Sequence, residues 1–196
     1  MRTIENNPTW FFGSAIPKKL CEQIIQEGKQ LKAVDGTVDR DASEAYRYPG
    51  LPSETFRDGK IAFFPEDYWI DRIIMSYVFS ANMKAKWNFS IHGKEPVQFG
   101  IYNKHNFYSW HQDCGKNTRP NRKLSVTVQL SKPEEYEGGE LQFLDLKEGN
   151  PLKQLYDFKI QGSVIVFPSI LKHRVQPVTD GIRYSLIQWY HGPEFT

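Results

Sequence analysis

The feature that most constrains this chain is a change of hydrophobic period near residue 95. Before it, apolar residues recur at helical spacing; after it, they alternate in short runs cut by turn signals. Leu20, Ile24, Ile25 and Leu31, with Pro17 as a first helical residue, predict a helix over 17–31. Trp69, Ile70, Ile73, Ile74, Tyr77, Val78 and Ala81 predict a stronger helix over 66–86, with Pro65, Glu66 and Asp67 suiting its first turn. A stripe that wide suits packing on a sheet rather than binding. Later runs predict strands at Val97–Tyr102, Leu124–Leu130, Glu140–Leu144, Gly162–Phe167 and Arg183–Tyr190, separated by turns such as Glu137-Gly138-Gly139 and Asp180-Gly181.

A chain of 196 residues suits one well-buried domain better than two. The expected class is therefore α+β: a helical and loop support region over 1–95, and a strand-built sandwich or barrel over 96–193 with the helices packed on one sheet. A formal charge of +2 does not suggest a dedicated nucleic-acid surface, and no run is long enough to cross a bilayer. With no apolar leader at the N-terminus and only Cys21 and Cys114, a reduced, cytoplasmic protein is expected.

The chemistry-bearing residues lie in the strand half. In Trp110-His111-Gln112-Asp113, alternation in a strand sends His111 and Asp113 to one side and Gln112 to the other. His173 follows the apolar run Ser163–Phe167, which can deliver it from across the barrel. Two imidazoles and one carboxylate are the protein half of a facial triad for a non-haem ferrous ion, with open positions left for co-substrate and oxygen. A His-x-Asp tripeptide alone is common by chance, so the case rests on its surroundings. His92 and His105 lie in polar stretches and His191 near the end, and all three read as loop residues.

Arg183 shares a strand face with Ser185, Ile187 and Trp189. It is either a clamp for the far carboxylate of a dicarboxylate, with the Ser185 hydroxyl adding a donor, or an edge-strand surface residue. Tyr102 either donates to a co-substrate or is simply packed. Ser125, Thr127 and Gln129 alternate with Leu124, Val126, Val128 and Leu130, and face either a cavity or water. Residues 35–60, with Tyr46, Arg47 and Tyr48, are either a lid or an ordinary surface excursion. The segment Cys114–Arg122, with Lys116, Arg119 and Arg122, either meets an acidic substrate or is a solvated loop.

Taken in order, Tyr102, His111-Gln112-Asp113, Leu124–Leu130, Tyr136-Glu137-Gly138-Gly139-Glu140-Leu141, Val166-Phe167-Pro168-Ser169, His173–Val178 and Gly181–Ser185 resemble the iron(II)- and 2-oxoglutarate-dependent oxygenases of the prolyl 4-hydroxylase superfamily. The bacterial and phage PKHD-type hydroxylases are most similar, over about residues 97–193. The resemblance implies a double-stranded β-helix (jelly-roll, cupin-like) core and iron on His111, Asp113 and His173. It also implies 2-oxoglutarate with its distal carboxylate on Arg183, contact from Tyr102, and Trp189 lining the pocket. Arg183 stands where collagen-type relatives often carry Lys, and Gln129 where some relatives carry a second co-substrate tyrosine.

The implied activity uses Fe(II), 2-oxoglutarate and O2, with ascorbate as a candidate reductant. It hydroxylates an unactivated C–H bond of a peptidyl or free amino acid, proline leading, and releases succinate and CO2. The alternatives are a non-catalytic jelly-roll module holding a metal, and an oxygenase of the same fold acting on a lipid, sugar or nucleobase.

Overall fold

The computed structural model describes residues 7–36, 57–115, 119–145, 149–153 and 156–194. The strands, in chain order, are β1 (Trp10–Phe12), β2 (Val34–Asp35), β3 (Arg57–Asp58), β4 (Lys60–Phe63), β5 (Gly93–Lys94), β6 (Gln98–Tyr102), β7 (Phe107–His111) and β8 (Arg122–Gln129). They continue with β9 (Tyr136–Gly138), β10 (Leu141–Phe143), β11 (Val164–Pro168), β12 (His173–Val175), β13 (Val178–Gly181) and β14 (Arg183–His191). The helices are α1 (Lys18–Gly28) and α2 (Ile70–Lys84).

The larger sheet runs β1-β11-β8-β14-β6-β4-β2, with β5 also paired to β14. The smaller runs β10-β12-β7-β3, and β13 pairs with β9. All these pairings are antiparallel. The strand-rich second half is thus as the alternation predicts. Two helices lie where the periodicity puts them, although α2 starts at Ile70 rather than 66 because Trp69 is its N-cap.

The support region differs from its expected helix-and-loop character. β1 and β4 extend the large sheet, and β3 adds an edge to the small one. These strands have two to four residues, too short for alternation to be visible in a sequence window. Their pairing comes from the sheet edges they meet rather than from local propensity. His191 also differs from the loop expected for it, since it is the last residue of β14.

Alternation divides the apolar residues between two cores. Val164 and Val166 of β11, Leu124, Val126 and Val128 of β8, and Leu186 and Tyr190 of β14 pack with Cys21, Ile24, Ile70, Ile74, Val78 and Ala81 of the helices. Ile165 and Phe167, the intervening residues of β11, instead join Tyr136, Leu141, Phe143 and Val175 in a second core. Helices therefore seal one face of the large sheet and leave the other free to line a cavity.

One polar link crosses the helix layer: the Gln188 amide donates to Asp71 of α2, whose carboxylate also pairs with Lys94 at 2.6 Å. Among the described residues, no helix is long and apolar enough to cross a membrane. Both cysteines are free and buried.

Ile74 is fully buried at the helix–sheet contact, whereas Met83 on the same helix is 67% exposed. Ile74→Ala should cost about 2–5 kcal/mol, and Met83→Ala should stay within about 0.5 kcal/mol. Chemical denaturation midpoints check the difference.

Candidate active site

Three neighbouring strands tile the floor of a cavity of about 460 Å³. In register across β6, β14 and β8, Tyr102 sits beside Arg183, Gly100 and Gln129 beside Ser185, Gln98 and Thr127 beside Ile187, and Ser125 beside Trp189. Gly100 has a physical reason to be glycine: an added Cβ would lie 3.1 Å from the Ile187 side chain and 3.2 Å from Ser185 Oγ. Arg183 is 4% exposed on a central strand, which removes the edge-strand reading. Ser125, Thr127 and Gln129 face inward and are buried, so the alternative of a wet sheet face is also removed.

The opposite wall carries the candidate metal ligands. His173 opens β12, and its register partner on β7 is His111. His173 therefore reaches the site from the adjacent strand of the same sheet. The delivery from across the barrel expected for it is corrected: Pro168 ends β11, and the turn after it carries the chain into the small sheet.

Asp113 lies two residues past His111, just beyond the end of β7. A hydrogen bond from its N–H to Ser169 O (2.9 Å), not continued strand, turns it inward. Gln112 is exposed as alternation predicts, and its amide donates to Ile170 O.

His111 Nε2 stands 3.5 Å from Asp113 Oδ1, and His173 Nε2 stands 3.5 Å from Asp113 Oδ2. One ligand atom from each residue lies within 4.8 Å of the others. Each Nδ1 contacts a backbone carbonyl two residues earlier, His111 with Ser109 O at 2.8 Å and His173 with Leu171 O at 2.9 Å. With Nδ1–H donating there, both Nε2 lone pairs point at the carboxylate and are free to coordinate.

Ser125 Oγ donates to Asp113 Oδ2 (2.7 Å) and lies 2.9 Å from Ser169 Oγ, which fixes the carboxylate. Burial opposes charge on Asp113. The pull of His173, His111 and Arg122 outweighs it and holds the carboxyl well below the usual range. Burial, reinforced by His111, pushes His173 down to about 4 against the opposing pull of Asp113, so its imidazole is neutral at neutral pH. Two imidazoles and a carboxylate, all fixed by neighbours, fit a divalent ion that favours nitrogen and oxygen donors.

Several site residues escape the sequence reading. Tyr108 stacks on His111 with ring centroids 3.5 Å apart. At residue 108 it should face away from His111, but β7 bulges: His173 pairs with His111, while Val175 pairs with Tyr108. A bulge breaks alternation and leaves no sequence signal of its own.

Tyr136 receives a hydrogen bond from the Gln129 amide (3.1 Å) and lies within hydrogen-bonding reach of Arg183. Burial pushes its phenol up while Arg183 pulls it down. Gln129 therefore props the Tyr136 phenol. Arg183 also donates to Ser185 Oγ at 3.3 Å, and its guanidinium lies 5.6 Å from the Tyr102 ring.

At the other end of the cavity, the Arg122 guanidinium stacks 3.9 Å over Trp189. It donates twice to Glu95, each time at 2.6 Å, and His191 contacts the same carboxylate at 2.8 Å. Of the segment 114–122, residues 116–118 lie outside the described residues, and exposed Arg119 reaches the cavity rim. Of the expected lid, Tyr46, Arg47 and Tyr48 also lie outside them. Its flanks, Asp35 and Arg57, are strand residues on the cavity wall.

The family described as the 2OG-Fe(II) oxygenase superfamily matches residues 97–191. The chain is 36% identical to a PKHD-type hydroxylase of Prochlorococcus marinus over 99 residues, which are 50% of this chain and 41% of that one. It is 36% identical to one of a Janthinobacterium species over 100 residues, 48% and 42% of the two chains. The matched segment thus spans less than half the length of these relatives.

Among solved structures, a Pseudomonas putida prolyl-4-hydroxylase superposes with a TM-score of 0.67 at 20% identity, over 98% of this chain and 96% of that one. A Trichoplax adhaerens prolyl hydroxylase, in complex with a hypoxia inducible factor oxygen degradation domain peptide fragment, gives 0.73 at 18% identity, over 97% and 86%. These likenesses identify the fold as the double-stranded β-helix of such oxygenases.

Two outcomes follow from the geometry. Ser125→Ala should weaken Fe(II) affinity about 10- to 100-fold, because it frees the Asp113 carboxylate to rotate; competition with a ferrous chelator measures it. In metal-free protein, His173 has an ordinary value of 6.5 unfolded and about 4 folded. The unfolded chain thus binds more protons between those values, and stability falls as pH drops from 6.5 towards 4. Asp113 acts in the same direction below its ordinary value. Thermal melts across that window should show the fall, and it should be shallower in His173→Gln.

Proposed function

Since the 2OG-Fe(II) oxygenase superfamily matches residues 97–191, we propose that this chain is an iron(II)- and 2-oxoglutarate-dependent dioxygenase that hydroxylates an unactivated C–H bond. The substrate is a peptidyl or free amino acid, with proline foremost, and the co-products are succinate and CO2. The observation that carries the reading is the joint placement of His111, Asp113 and His173 with Arg183 in one cavity. A module that merely stored a metal would have no use for a buried guanidinium there.

His111, Asp113 and His173 would hold the ferrous ion, which would supply the redox chemistry for dioxygen and the keto acid. The chain does the rest by placement. Arg183 offers two parallel N–H donors to the distal carboxylate of 2-oxoglutarate, and Ser185 and Tyr136 orient that fork. Tyr102, in register with Arg183, presents its phenol beside the same carboxylate.

Ile187, Leu141, Phe167 and Val175 line the cavity with hydrocarbon and exclude water, which strengthens the polar contacts within. No side chain has to act as nucleophile or general base. Ascorbate serves as a reductant that keeps the metal ferrous. Two free, buried thiols suit a reducing compartment such as the cytoplasm.

Anaerobic addition of Fe(II) and 2-oxoglutarate should produce a weak visible charge-transfer band, and aerobic turnover should release succinate. His111→Ala and Asp113→Ala should lose both while remaining folded. Arg183→Gln should raise the 2-oxoglutarate KM about 10- to 100-fold, the loss of a charged bidentate contact. Succinate formation unchanged in the His111 or Asp113 variants would sink the proposal.

A further inference from the structure

Strands set three guanidiniums into the cavity wall: Arg57 from β3, Arg122 from β8 and Arg183 from β14. Two have evident roles. Arg122 is neutralised by Glu95 at 2.6 Å, and Arg183 is committed to the keto acid under the proposed function. Arg57 has no carboxylate within ion-pair distance among the described residues, and its Nε is buried without a hydrogen-bond partner.

Its position is nevertheless fixed. The guanidinium lies 4.6 Å over the Tyr108 ring, and Tyr108 stacks on His111. Gly36 also packs against it, so closely that an added Cβ would fall 2.6 Å from Arg57 Nε. A half-buried guanidinium packed against a ring and a backbone, with no carboxylate within ion-pair distance among the described residues, gains from a ligand that completes it. It has already lost the side-chain freedom that binding would otherwise cost.

We propose that Arg57 binds a carboxylate of the primary substrate and so makes this enzyme selective for acidic substrates: a free amino acid or a peptide with a free C-terminus held by its α-carboxylate, or a peptide held by an Asp or Glu side chain. The assignment rests on the oxygenase reading above. In the stack Arg57–Tyr108–His111, one aromatic ring separates the anion-binding guanidinium from a metal ligand. It lies on the small-sheet side of the cavity, whereas Arg183 lies on the large-sheet side. The two carboxylates, of substrate and co-substrate, therefore occupy opposite walls and do not compete for one cation.

The test uses the full chain with Fe(II), 2-oxoglutarate and a matched library: free amino acids with their carboxamides, peptides with free and amidated C-termini, and Asp- or Glu-containing peptides with their Asn or Gln counterparts. Substrate-stimulated succinate release gives kcat/KM. In the wild type, the acids should exceed their amides by at least about 10-fold, and whichever matched set shows the gap identifies the source of the carboxylate. The gap should collapse to within about two-fold in Arg57→Gln and partly return in Arg57→Lys.

Equal rates for acid and amide in the wild type overturn the assignment without any variant. So does a gap that persists in folded Arg57→Gln. If the ferrous–2-oxoglutarate band forms but no acid in the library stimulates turnover, the assignment also fails while the co-substrate site stands. Absence of the band in the wild type fails the oxygenase reading, and the Arg57 assignment falls with it.

Discussion

The register between β12 and β7 is the constraint on which the site depends. It places His173 opposite His111, and so brings the two imidazoles onto one carboxylate. Because side chains alternate, a slip of a single residue would turn His173 out of the cavity. Register is set here by burial: Val175 and Phe143 must face the inner core, and that requirement carries His173 inward with them. Apolar packing thus positions the polar chemistry.

The rest of the site is held in layers around that pair. Ser125 on β8 holds the Asp113 carboxylate from the floor, and Ser169, next to the end of β11, accepts from the Asp113 N–H through its carbonyl and braces Ser125 through its hydroxyl. The carboxylate is therefore tied to the large sheet, while the two imidazoles belong to the small one. A metal bound by all three would bridge the sheets, so its binding free energy should also stabilise their packing.

Much of this was legible in the sequence, and the reasons differ by residue. His111, Asp113 and His173 could be picked out because few residue types chelate metals, and Arg183 because alternation put it on the face of Ser185 and Trp189. The apolar face of β8 in the first core followed from its alternation. Tyr108 was hidden because a bulge cancels the period on which the reading relied. Arg57 and β3 were hidden because a two-residue edge strand has no period at all. The role of Tyr136 was hidden because its partner, Gln129, becomes its neighbour only through folding. Local periodicity reports which way a side chain faces, whereas pairing across sheet edges reports whom it meets.

The length of β14 has a consequence of its own. Arg183 and Trp189 stand on one unbroken strand, about 20 Å apart at roughly 3.3 Å per residue. The span between the inner guanidinium and the outer indole is thereby measured by backbone, and a backbone ruler cannot be shortened by exchanging side chains. Insertion or deletion within it would flip one end relative to the other. Variation in what this cavity accepts must then come from its walls and rim, where Arg57, Arg119 and the Glu95–Arg122 pair stand, while its long dimension stays constant.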